Sequence, residues 1–101
     1  MLIRIAELKD IDLIKQYDKH IAEAELTNVL MLGRIFIAEE NNDLIGWLRY
    51  NYFWDNTPFM NMLYILNKYR KRGYGKILTE YWEEKNETFG LQLGFNVYPF
   101  K

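Results

Sequence analysis

The chain has no cysteine and only one histidine, which excludes disulfides, thiolate metal sites and a cysteine nucleophile and leaves too few ligands for a zinc centre. It also lacks an excess of charge: 13 Lys and Arg stand against 14 Asp and Glu, for a formal net charge of -1. That balance excludes the global basic field that drives non-specific nucleic-acid binding, so charge has to be read locally. No window approaches the roughly 20 apolar residues of a membrane span. The opening MLIRIAELKD lacks the charged segment and long apolar run of a secretion signal. A cytoplasmic protein without membrane or nucleic-acid partners is expected. What remains is 101 residues, 50% hydrophobic and 17% aromatic, enough for one small domain over 1–101 with a marginal surface-to-volume balance. No linker, repeat or low-complexity segment divides it.

Periodicity predicts the elements. Residues 1–6 read as a short strand, with Leu2, Ile3 and Ile5 followed by charged residues. Asp10 is placed to cap a helix through IDLIKQYDKHI, where Ile11, Ile14, Tyr17 and Ile21 recur at helical spacing, and a second helical pattern runs from Ala22 to Leu32 before Gly33. RIFIAEE and LIGWLRYNYFW alternate as strands around an Asn41-Asn42-Asp43 turn, forming a hairpin. FMNMLYILNKY follows the turn cluster Asp55-Asn56-Thr57-Pro58 as a third strand of this series, and its apolar centre predicts an interior position. From Gly73, GYGKILTEYWEEK carries Tyr74, Ile77, Leu78, Tyr81 and Trp82 on one face of a helix.

The junction between that strand and that helix is where chemistry is expected. Lys68, Arg70, Lys71, Arg72 and Lys76 gather positive charge at a helix start, and Gly73 and Gly75 remove side chains that would hold a ligand off the backbone. The first turn of a helix leaves amide N–H groups unpaired, and a diphosphate can accept several at once. Spacing alone is equally compatible with a turning loop carrying solvated cations. A Walker-type loop is excluded, because Gly75-Lys76 lacks the upstream glycine and the following hydroxyl residue. A dinucleotide fingerprint is excluded because Leu78 stands where its third glycine would be.

Arg70-Lys71-Arg72-Gly73-Tyr74-Gly75 resembles the R/Q-x-x-G-x-G/A signature of the GNAT N-acetyltransferases, between an apolar strand and an amphipathic helix as in that superfamily. The resemblance covers residues 1 to about 85. It implies an α/β chain with a mixed sheet, the GNAT-like acyl-CoA N-acyltransferase fold, and acetyl-CoA as co-substrate. It further implies that Ile65, Leu66 and Asn67 meet the pantetheine arm, and that the loop amides from Lys71 to Lys76 hold the pyrophosphate, with Arg70, Arg72, Gly73, Tyr74 and Gly75 completing the site. A backbone N–H near Leu66 would polarise the thioester carbonyl. The implied activity is acetyl transfer to an unknown amine acceptor.

The tail 86–101 departs from the family pattern. It supplies one strand at most, expected over Leu91 to Tyr98, so the fold is expected to be incomplete at the C-terminus. A one-base deletion in an adenine run encoding Lys85 and Asn86 would permit a reading that resembles the family's usual continuation; the alternative is a natural short variant. A sheet with an open edge predicts a homodimer or strand-swapped assembly. No catalytic base is assigned: Glu39, Glu40 and Asp55 are read as solvated carboxylates, Tyr50 and Tyr64 as packing residues, and His20 as an ordinary partly exposed helical position. Trp47, Trp54 and Trp82 are read as core. Two other functions stay open, a catalytically silent remnant that still holds CoA or self-associates, and an RNA-contacting KYRKRGYGK loop.

Overall fold

The computed structural model describes residues 1–53 and 57–93. Four strands, β1 (Leu2–Ile5), β2 (Ile35–Glu40), β3 (Asp43–Phe53) and β4 (Thr57–Ile65), form one sheet in the order β1-β2-β3-β4, with every pairing antiparallel. Helices α1 (Ile11–Tyr17) and α2 (Glu23–Met31) connect β1 to β2, and α3 (Tyr74–Leu93) follows β4.

Alternation along the strands builds two cores. Ile35, Ile37 and Trp47 point to one face, where Ile14 of α1 and Leu26, Val29 and Leu30 of α2 cover them. Phe36, Ala38, Ile45, Leu48 and Tyr50 point to the other face, beneath Leu78 and Trp82 of α3. Because helices cover both faces, β2 is apolar at four successive buried positions, Ile35 to Ala38, rather than alternating. Each large side chain buried this way contributes about 1.5–3 kcal/mol. The β2–β3 hairpin closes through Asn41 (φ 53°) and Asn42 (φ 69°), the left-handed pair of a two-residue turn whose twist matches its strands.

Five details differ from the sequence reading. The first helix ends at Tyr17 rather than Ile21: Asp18 turns extended (ψ 91°), and its carboxylate is drawn into the core by Arg49, 3.0 Å away. His20 therefore lies in the connection to α2. Asp10 does not cap α1 with its side chain; the carboxylate accepts the Glu7 amide at 2.7 Å and both terminal nitrogens of Arg4 at 2.9 Å. β4 is an edge strand among the described residues, not an interior one; its apolar residues are explained by helices on both faces. Leu91 to Leu93 belong to α3, so the expected strand does not begin there, and residues 94–98 lie outside the described residues. Along α3, Ile77 is exposed, and Leu78, Trp82 and Asn86 make the inward stripe. Asn86 is held there by the Tyr52 hydroxyl, which donates at 2.8 Å, and by its own bond to the Trp82 carbonyl.

Candidate functional site

The site is built where β4 runs out. The Leu66 amide donates to the Ile45 carbonyl at 2.8 Å, back toward β3. Backbone groups of successive strand residues face opposite edges, so the N–H and C=O of Ile65 face the outer edge, which no strand covers among the described residues. The Leu66 N–H is thus used inside the sheet; of the backbone N–H groups near Leu66, where a donor to the thioester is expected, that of Ile65 is directed outward. β3 and β4 approach closely here. A Cβ on Gly46, which pairs with Ile65, would lie 2.2 Å from the Tyr64 carbonyl oxygen.

Beyond Leu66 a single 3-10 turn, Asn67–Tyr69, leads into the loop. Lys71 (φ 64°) and Gly73 (φ 83°) both adopt left-handed backbone, so the chain turns sharply twice between Arg70 and the start of α3. The Ile77 amide bonds the Gly73 carbonyl at 3.1 Å, so Tyr74, Gly75 and Lys76 form the first turn, whose amides have no acceptor within the helix. Nothing lies within 4 Å of the place a Gly73 Cβ would take, so the space beside Gly73 at the helix start is open. Gly75 faces the other way, toward Leu63 and Ile65 at 3.6 and 3.8 Å, and seats the helix start on β4. Lys71, Arg72 and Lys76 are exposed, and among the described residues no carboxylate pairs with them. Asn67 and Lys68 are exposed beside them, and Tyr74 packs edge-on against Tyr69.

Arg70 behaves differently from the other cations. Its Nε donates to the outward Ile65 carbonyl at 2.7 Å, and its guanidinium carbon stands 5.2 Å from the centre of the Tyr64 ring. Tyr64 in turn stacks on Trp47 (4.8 Å, 16°), and Tyr17 at the end of α1 leans on both rings. Asp18 and Arg49 sit beside this group as a buried ion pair. The sequence reading missed Tyr17, Gly46 and the Asp18–Arg49 pair; only Gly46 left a local signal, a glycine within a strand.

The acid–base candidates separate. Glu39 is paired with Arg4 at 3.1 Å, and Glu40 with the N-terminus and the Tyr74 hydroxyl. Asp55 and Trp54 lie outside the described residues. Tyr50 faces α3, and burial pushes its hydroxyl above the ordinary tyrosine range, so it keeps its proton. Tyr64 faces α1 and α2 and adjoins the outward groups of Ile65. Among the described residues no cluster suited to a metal ion occurs, and no helix is long and apolar enough to cross a membrane.

A family model described as the Acetyltransferase (GNAT) family matches residues 4–96. No curated protein matches the chain. Among solved structures, N-acetylglutamate synthase from Neisseria gonorrhoeae, complexed with coenzyme A and N-acetyl-glutamate, superposes with a TM-score of 0.79 at 21% identity, over 88% of this chain and 23% of that one. A Mycobacterium tuberculosis protein in complex with CoA gives 0.75 at 13% identity, over 87% and 58%. An acetyltransferase from Vibrio fischeri gives 0.66 at 18% identity, over 89% of each chain. The chain therefore spans about a quarter and somewhat over half of the first two structures. At these identities the likeness establishes the fold.

Proposed function

The chain belongs to the GNAT acetyltransferase family, and from that premise we propose that it binds acetyl-CoA across the β4–α3 junction and transfers the acetyl group to an amine. One observation carries this reading: the first turn of α3, whose amides have no acceptor within the helix, starts beside open space at Gly73 and is flanked by exposed cations, Lys71, Arg72 and Lys76, that no carboxylate pairs with among the described residues. A diphosphate there would accept from the backbone between Lys71 and Lys76, with Arg72, Lys71 and Lys76 supplying charge. Gly73 keeps the floor clear and Tyr74 and Gly75 begin the helix. The pantetheine arm would run along the outer edge of β4, pairing with Ile65 and passing Leu66 and Asn67 as an added strand would.

In the transfer, the acceptor ammonium gives one proton to solvent, its freed lone pair attacks the thioester carbon, and the carbon–sulfur bond breaks to release a thiolate, which takes up the second proton that the nitrogen sheds on becoming an amide. The outward Ile65 N–H would donate to the carbonyl oxygen as negative charge builds on it. The acceptor would approach from the Tyr17–Tyr64 face, where β4 is not covered by α3. We further propose self-association through a free sheet edge, since β1 and β4 both end the described sheet.

Calorimetric titration with acetyl-CoA tests the reading: saturable binding is expected, weakened at least about tenfold by Gly73→Val, because a branched side chain does not tolerate positive φ and would fill the open space beside the helix start. Release of free thiol with a panel of amines then reads turnover. No saturable binding by the folded wild-type chain would remove the proposal, and binding without turnover would leave a CoA-binding protein in place of an enzyme.

A further inference from the structure

The Tyr64 ring has one face stacked on Trp47 and a cation, Arg70, at the other. Trp47 is fully buried, while Tyr17, which closes one side of the group, is 38% exposed. We propose that the Tyr64 face, bordered by Tyr17, is the seat of a cationic acceptor amine, and that Arg70 holds this seat until acetyl-CoA draws it away. The inference rests on the acetyl-CoA reading given above.

The argument is one of competing partners. Arg70 spends its Nε on a neutral carbonyl and its face on a neutral ring, both weaker partners for a guanidinium than a phosphate group. It also starts the loop whose amides gather a diphosphate. A cofactor in place would need the outer edge of β4, where Arg70 now bonds Ile65, and would offer Arg70 a doubly charged anion at the loop that Arg70 begins. Moving there, Arg70 uncovers the ring. Primary amines reach an enzyme as ammonium ions near neutral pH, and a π face flanked by a second ring and a buried aromatic floor attracts such ions. Asp18, whose side chain is fully buried, is already matched by Arg49, so the pair adds no net charge; the rings, not a carboxylate, would select the cation. The seat adjoins Ile65, where the thioester carbon would lie.

Choline and its neutral isostere 3,3-dimethylbutan-1-ol probe the seat without turnover. In the presence of saturating CoA, choline is expected to bind about fivefold or more tightly than the alcohol, and several-fold more tightly than it binds the CoA-free protein. Arg70→Ala, an exposed change, should give the CoA-free protein the choline affinity otherwise seen only with CoA. Tyr64→Leu should abolish the preference for choline over the alcohol while leaving CoA affinity intact, and Tyr64→Phe should restore it. Equal affinity for choline and the alcohol, or a Tyr64→Leu protein that keeps the preference, would overturn the seat. No gain on Arg70→Ala would overturn the role of Arg70. If CoA fails to bind at all, the cofactor reading falls, and the choline titration of Arg70→Ala still decides for or against the ring.

Discussion

Three glycines near the site do three separate jobs, and substitutions distinguish them. Gly46 permits close approach of two strands: an alanine Cβ would sit 2.2 Å from the Tyr64 carbonyl oxygen, against backbone that cannot yield cheaply. Gly46→Ala is expected to destabilise the fold by about 3 kcal/mol in urea unfolding, and to weaken acetyl-CoA binding because β4 must shift. Gly75 makes only ordinary contacts at 3.6 and 3.8 Å, so Gly75→Ala should be neutral or stabilising by up to ~1 kcal/mol in the first turn of a helix. Alanine is also what the family signature permits there. Gly73 serves conformation and clearance together, through its φ of 83° and the open space above it. The motif was legible from spacing, whereas Gly46 left only the general signal of a glycine within a strand, which does not tell a weakly placed glycine from one that a facing carbonyl requires.

At the scale of elements, charged pairs fasten the helices to the sheet. Arg4 of β1 grips Asp10, before α1, through two nitrogens and Glu39 of β2 through Nε. The bond to Arg4, helped by the Glu7 amide and opposed by burial, holds the Asp10 carboxyl below the usual aspartate range. Its folded-state value is the lower one, so this pair stabilises the fold above the unfolded value near ~3.9, and the contribution disappears as pH falls through the folded value. Asp10→Asn is therefore expected to lose about 1–2 kcal/mol near neutrality and to show a flatter acid limb in stability measured below about pH 4. The sequence placed Asp10 at a helix start but misread its partner: local spacing suggests a cap, while Arg4 arrives only because β1 and the 3-10 turn that follows it, Leu8–Asp10, fold against each other. Asp18 was passed over for the same reason, its partner Arg49 being 31 residues away.

For the whole molecule, two helical layers cover the faces of the sheet but leave both of its edges open among the described residues. The proposed self-association should appear as a concentration-dependent mass in sedimentation, and if it uses β4, acetyl-CoA should shift it toward the monomer by competing for the same backbone groups. A mass independent of protein concentration would count against pairing. The order of elements, the hairpin at Asn41-Asn42 and the glycine-rich helix start were determined by the sequence alone, because periodicity, left-handed turn residues and unpaired first-turn amides act over a few residues. Tertiary structure decided the rest: β4 at an edge, the Leu66 amide turned inward and that of Ile65 outward, and Arg70 laid on Tyr64. Those outcomes depend on which distant strand or ring arrives alongside, and sequence spacing carries no record of the pairing register and packing that bring them together.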